Sequence, residues 1–478
     1  MKMNTKIDVA DWLTANQDQF IQMADEIWDY SEIRWQEFKS SKLQADYMEE
    51  AGFDITWDIG GITTGFVAEW KNGDGSGPKI GFLGEYDALP GLSQKNQPSP
   101  DPIELNGHGH GCGHNLLGTG ALAATVAVKQ WLGETGTPGT VRYYGCPAEE
   151  GGGGKVFMAR EGVFDDLDAA FNFHPGNFNM AKKGSAIGVN HAFFRFHGQA
   201  AHAGGSPHLG RSALDAVELM NVGVNYLREH VKDNVRLHYQ ITHGGGAPNV
   251  VPDFAEVFYY IRAHLPEEVD ELTERVLKVA KGAAMMTETE MEMIIDSATS
   301  CVLSNHTLSD LQHEVMQKLG PIEFTQEEMA YAEKINSQNP PGARSFLQNR
   351  IKITAEEAAQ PLLGQVREAN DIGEVMTGST DVGDISWITP LSMLITTCWP
   401  TNVPAHTWGV VATGRTGIGH KGMMYAAQVM AGASVELFKD PARLQTVRNE
   451  FEAQIAKRPY KNPLPDDCHP PHNPHPLR

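Results

Sequence analysis

Four short apolar runs, Lys79–Leu83, Val141–Tyr144, Ala169–Phe173 and Met393–Trp399, each break off at side chains that bind metals or carry protons. The first stops at Gly84-Glu85-Tyr86-Asp87, the second at Cys146-Pro147-Ala148-Glu149-Glu150, the third at His174-Pro175. A short loop after the fourth leads to His406. Runs this short suit strands better than helices. Between them lie helical stretches such as Leu116–Trp131, small and apolar on most sides. Helices separated by short apolar strands imply an α/β fold around one open sheet. In such sheets ligands bind beyond the carboxyl ends of the strands. One rim would then gather Asp87, Cys112, His114, Glu149, Glu150, His174 and His406 from most of the chain's length.

The segment Gly107-His108-Gly109-His110-Gly111-Cys112-Gly113-His114-Asn115 supplies the densest group of metal-binding side chains. Glycine between each pair lets the backbone turn sharply enough for neighbours to aim at one centre. Cys112 and His114 alone cannot hold an ion; Glu149-Glu150, His174 and His406 are the partners the strand ends provide. Adjacent carboxylates usually mark a solvated surface. Here they follow a strand and precede Gly151–Gly154, where a ligand can approach the backbone closely. With Lys155 this run looks like a phosphate loop, but Val156 stands where Ser or Thr would bind magnesium, and that reading is set aside. Thiolate, imidazole and carboxylate donors together suit zinc.

Two amphipathic helices are expected first, Ile7–Tyr30 and Lys39–Ala51, the second ended by Gly52. A separate unit spans 188–302. It reads as a strand through His191–His197, a helix Arg211–Glu229, strands Val235–Thr242 and Glu256–Ala263, a helix Pro266–Ala284 and a strand Glu290–Ile295. That βαββαβ order is ferredoxin-like. It divides the catalytic domain into residues 1–187 and 303–445, the latter carrying a polar embellishment or lid at 320–373. The remaining 446–478, with Cys468-His469-Pro470-Pro471-His472 near its end, reads as a mobile tail without catalytic part.

At 478 residues the chain exceeds one comfortable core, in keeping with two domains. Its 38 Lys+Arg against 60 Asp+Glu give a net charge of -22, which disfavours nucleic acid and anionic membranes as partners. No apolar run reaches membrane-spanning length, and five cysteines without regular spacing argue against a disulfide framework. A reducing, cytoplasmic setting is expected.

The segments GEYDALPG, GHGHGCGHN, PAEEGGGG, FNFHPG, GQAAHAGGSPHLGRSALDA and GGGAPNVVPD, in this order, resemble the aminoacylase/carboxypeptidase metallopeptidases. The Cys-Gly-His form is similar to the amidohydrolase branch that cleaves N-acyl and N-aroyl amino acids. The resemblance implies a zinc-exopeptidase-like catalytic domain with a central mixed sheet, and an inserted lid/dimerisation domain. It assigns metal ligation to Cys112, His114, Glu150, His174 and His406, with one or two divalent ions, zinc or manganese. Glu149 becomes the general base, and Asp87 the carboxylate that orients a ligand. His202 would reach toward the substrate carbonyl, often across a dimer interface. Asn249 and Arg262 would bind substrate.

Amide hydrolysis needs an activated water, a stabilised oxyanion and a protonated leaving amine, which a divalent ion, Glu149 and His202 would serve. The implied particle is a homodimer or a hetero-oligomer with a homologous chain, and related dipeptidases would share the site. Two departures stand out: Asn115 where this branch has Asp, and Glu85 in place of Asp. An anionic substrate on so acidic a chain also calls for a local basic patch, for which Lys182, Lys183, Arg195 and Arg211 are candidates.

Overall fold

The computed structural model describes residues 8–74 and 76–471. The first expected helix is two, Val9–Ala15 and Gln17–Tyr30. Between them Asn16 returns its side-chain amide to the Trp12 carbonyl at 2.8 Å, the competition with the helical ladder typical of Asn. Ile7 lies outside the described residues. Phe38–Glu50 follows and stops at Gly52, whose φ of +85° only glycine adopts freely.

The central sheet has seven strands: β1 (Asp54–Trp57), β2 (Phe66–Asn72), β3 (Lys79–Glu85), β4 (Gly139–Cys146), β5 (Ala169–Gly176), β6 (Met180–Ala181) and β13 (Leu391–Thr397), in the order β1-β2-β4-β3-β5-β13-β6. The four apolar runs are its centre, β4-β3-β5-β13, all parallel. β1 and β2 on one side and β6 on the other pair antiparallel, so the sheet is mixed. Parallel strands need cover on both faces, and alternate residues supply it. Ile80, Phe82, Val141, Tyr143, Phe171 and Leu394 point into a core with helices His114–Thr135 and Gly417–Lys439. Leu83, Tyr144, Ala170 and Met393 point into a second core on the opposite face.

The inserted unit forms a four-stranded antiparallel sheet from β8 (Gly188–His197), β9 (Arg236–His243), β10 (Phe254–Ala263) and β11 (Glu290–Thr299), ordered β11-β8-β10-β9. Helices Ala213–Leu227 and Pro266–Thr287 cover one face through Phe194, Phe196, Val257, Tyr259 and Ile261. The other face carries Phe193, His191, Phe258 and Tyr260, in stacked pairs. Beside the lid, β7 (Ser185–Ala186) pairs in parallel with β12 (Val375–Met376).

The 320–373 segment holds helices Gln326–Asn336, Gly342–Phe346 and Ala355–Ala359, with a wider helical turn at Leu347–Ile351. Leu347, Ile351, Ile353 and Leu363 pack on Met180 and Ile395, so this embellishment covers the sheet's short β6 edge. The C-terminal segment departs from the expected loose tail. Helix Pro441–Ile455 crosses its proposed start, and the chain beyond is held as far as Cys468. Tyr460 donates to Asp384 at 3.0 Å, Asn462 to the Val156 carbonyl at 2.9 Å, and Arg160 to the Cys468 carbonyl at 2.8 Å. Polar anchoring thus overrides the proline-rich composition. His472 and His475 lie outside the described residues. Among those described, no helix is long and apolar enough to cross a membrane.

Candidate active site

At the carboxyl end of β3, Asp87 sets the orientation of His114, the first residue of its helix. Asp87 Oδ1 lies 2.9 Å from His114 Nδ1, and its Oδ2 accepts from the Glu150 backbone N–H at 2.8 Å. With Nδ1 engaged, His114 Nε2 faces inward, fully buried and without a hydrogen-bond partner. Its neighbours are Glu85 at 3.3 Å and Glu149 at 3.9 Å. Cys112 Sγ lies 3.3 Å from His174 Nε2, and His406 Nε2 lies 3.2 Å from Glu150.

Three overlapping triads result: Cys112/His114/His174, Cys112/Glu150/His406 and Glu85/His114/Glu149, each with donor atoms within 4.8 Å of one another. Cys112 belongs to two of them. All five residues expected to be ligands, with Glu149 and Asp87, therefore meet at one place. His110 does not join them: it is buried against the Ile27 carbonyl at 3.0 Å, and His108 is exposed.

The backbone bends to make this possible. Ala148, just before the two glutamates, has φ of 58°, and His406 has φ of 60°. Neither is glycine, and such conformations persist only where the surroundings enforce them. For Ala148 the enforcing group is Glu37, buried under the site, whose Oε1 accepts from the Ala148 N–H at 2.8 Å while Oε2 accepts from Thr64 at 2.9 Å. For His406 it is a bond from its N–H to the Gly111 carbonyl at 2.8 Å.

Charge is concentrated here. Burial works against ionising Cys112, but His174 and His114 outweigh it and hold the thiol well below its ordinary range. Burial, then the charges of Glu85, Glu150 and Asp381, push the Glu149 carboxyl well above its usual value. Lys155, which follows the glycine run, is wholly buried and bridges Glu85 at 2.7 Å and Asp381 at 2.6 Å. Neither Lys155 nor Asp381 is expected from sequence. The only signal is a lysine directly after four glycines, and Asp381 offers none. Glu85, standing in place of Asp, is long enough to touch both His114 and Lys155. Asn115 turns away from the site and donates to the Ala24 and Gly414 carbonyls at 3.2 and 3.0 Å. An ionised Asp could not make those bonds.

The centre opens into a groove of about 440 Å³ between the catalytic domain and the helix-free face of the lid. Glu149, Glu150 and His406 line its floor, and His191, Phe258, Tyr260 and Arg262 its lid wall. Arg262 reaches the Thr377 carbonyl and the Ser379 hydroxyl, both at 3.3 Å. His202 and Asn249 are not in the groove. They sit together on an exposed part of the lid, with the Ala203 N–H donating to the Asn249 carbonyl at 2.9 Å and Gly205 to His202 Nδ1 at 2.9 Å. The basic patch also differs from expectation. Lys183 pairs with Asp310, Arg195 with Glu256 and Arg211 with Glu288, while Lys182 is buried beside Met376; none of the four lines the groove. Its cations are Arg34 and Arg262.

A two-domain α/β fold whose sheet rim gathers a thiol, three imidazoles and four carboxylates defines a metal-dependent hydrolase, and comparison with known proteins places it. Residues 81–408 match Peptidase family M20/M25/M40, and the chain belongs to that family. It is 44% identical over 473 residues, 97% of this chain and 98% of the relative, to a p-aminobenzoyl-glutamate hydrolase chain of Escherichia coli strain K12. In fold it is similar to an aminobenzoyl-glutamate utilization protein from Klebsiella pneumoniae (TM-score 0.60, 18% identity, 90% of this chain and 98% of that one). A Bacillus subtilis protein described as a dinuclear metal binding peptidase of the M20 family is similar too (TM-score 0.57, 19% identity, 89% and 99% covered).

Proposed function

We propose that this chain hydrolyses the amide bond of p-aminobenzoyl-glutamate, releasing p-aminobenzoate and glutamate. The observation that carries the reading is the convergence of Cys112, His114, Glu150, His174 and His406 beside Glu149 at the floor of one groove. The relative with 44% identity supports the substrate. So does the aromatic wall of Phe258, Tyr260 and His191, a surface on which an aroyl ring can stack.

The buried, partnerless Nε2 of His114 among further donor atoms fits a divalent cation. Cys112, His114, Glu150, His174 and His406 would hold it. Two triads share Cys112, so the donor set could hold one or two ions. Zinc suits the thiolate and imidazoles, and manganese the carboxylates. Such an ion supplies positive charge that acidifies water and polarises a carbonyl.

Glu149 takes the proton from the attacking water and returns it to the departing nitrogen. Asp87 keeps His114 in the tautomer that presents Nε2 inward. Arg262 binds a substrate carboxylate. His202 and Asn249, exposed in the single chain, act on a site completed by a second copy or by a homologous partner chain. The five cysteines are all free, as a reducing cytoplasm would keep them.

The test is p-aminobenzoate release by metal-loaded protein beside Glu149→Gln. The variant is expected to be slower by at least ~10²-fold. Equal rates would remove Glu149 from its role. Absence of release by the wild-type chain, alone or with a homologous partner chain, would overturn the substrate.

A further inference from the structure

Arg34 and Arg262 stand apart from the other candidate cations. Lys155, Lys183, Arg195 and Arg211 each pair with a carboxylate. Among the described residues, Arg34 and Arg262 form no ion pair, although the chain carries a net charge of -22. Both are partly buried, and both line the groove. The bonds they make are to neutral oxygens: Arg34 to the Glu150 carbonyl at 3.3 Å, Arg262 to the Thr377 carbonyl and Ser379 hydroxyl. Arg262 Nε is buried with no partner at all. Arg34 has the Asp296 carboxylate in its neighbourhood, whose upward push by burial it partly offsets, but makes no ion pair with it. Arg262, partly out of water with no such neighbour, carries a desolvation cost. Both are open to anions that arrive with a ligand.

Their placement gives the ligand's shape. Arg262 lies 5.3 Å from the centre of the Tyr260 ring, on the lid. Arg34 comes from the loop after the Gln17–Tyr30 helix, on the catalytic domain. Gly151 lies against Arg34 and Tyr260: a Cβ there would meet Arg34 Nη1 at 2.8 Å and the Tyr260 hydroxyl at 3.6 Å. The absence of a side chain there leaves room between Arg34 and the Tyr260 hydroxyl. His191, stacked on Tyr260 at 3.7 Å, adds no charge: burial, with the charges of Arg262 and Arg34, holds it down to about 3. The wall is thus apolar and neutral, with one guanidinium from each domain.

We propose that Arg34 and Arg262 form a two-point receptor for an N-acylated dicarboxylic amino acid, one guanidinium for each carboxylate. This rests on the hydrolase reading for the ligand's general class and adds how an acidic amino acid is chosen over a neutral one. Losing one charge-assisted hydrogen-bond pair with the second carboxylate is enough for a preference of about tenfold or greater.

The experiment measures binding of p-aminobenzoyl-glutamate and p-aminobenzoyl-glutamine by calorimetry, using metal-loaded Glu149→Gln protein so that neither is consumed. The parent should prefer the glutamate ligand by at least ~10-fold. Of Arg34→Gln and Arg262→Gln, one should collapse that ratio to near unity, and the other should weaken both ligands together. Arg→Lys at the same positions keeps the charge and should retain part of the ratio, which a folding defect would not do. Equal affinities in the parent, no binding of either ligand, or a ratio that survives both substitutions would overturn the receptor. Selective binding together with no p-aminobenzoate release by the wild-type chain would leave the receptor standing and overturn the hydrolysis reading instead.

Discussion

The rim of the central sheet and the outer lid solve the problem of building a site in opposite ways. At the rim polar groups from distant segments lock one another: Asp87 holds His114 and Glu150, Glu37 holds Ala148, and Lys155 joins Glu85 to Asp381. Most of these side chains are buried, so their geometry is complete within one chain. On the lid, His202 and Asn249 are exposed and tied only to neighbouring backbone. The two regions therefore take their precision from different sources. Buried donors are organised by the chain's own fold, whereas the exposed ones are held by local backbone alone.

The largest effect expected from breaking this contrast is at the rim. Stripping the ion with a strong chelator should cut p-aminobenzoate release by ~10³-fold or more, since the ion's charge stabilisation is worth several kcal/mol. Zinc or manganese should restore it, and release that persists in demonstrably metal-free protein would refute the assignment. Next, His202→Ala should lose ~10²-fold, the size of a lost oxyanion donor. If His202 acts across an interface, mixing His202→Ala with Glu149→Gln protein should produce activity that neither shows alone. No recovery on mixing, with both proteins still assembling, would confine His202 to its own chain.

The remaining two predictions compare stability. Lys155→Met leaves Glu85 and Asp381 buried without their cation and should cost about 3–5 kcal/mol, read from denaturant unfolding. In the lid, Tyr259 donates to Asn221 in a buried neutral bond. Tyr259→Phe should cost only about 1 kcal/mol. Similar losses at the two positions would mean that the rim is no more electrostatically strained than the lid.

Much of this arrangement is legible in the chain without coordinates. The four parallel strands show as apolar runs because they are covered on both faces, and their ends show as Asp87, Glu149-Glu150 and His174. The lid's strands and helices follow from alternation and helical spacing within short windows. The break at Asn16 does not show, because the apolar stripe continues across it. The ordered C-terminal segment does not show either, because proline density says nothing about the anchoring by Tyr460, Asn462 and Arg160.

The chemically competent donors and the strand ends near them are written in the chain, because residue type and local periodicity are properties of neighbours in it. Only the tertiary structure decided which of them pair. Lys155 was taken up by Glu85 and Asp381, Asn115 by two backbone carbonyls, and Arg34 rather than Arg195 or Arg211 was left facing the groove with Arg262. The reason is physical: electrostatic and hydrogen-bond energies change over a few ångströms in a low-dielectric interior, and such distances between remote segments exist only once the two domains have packed.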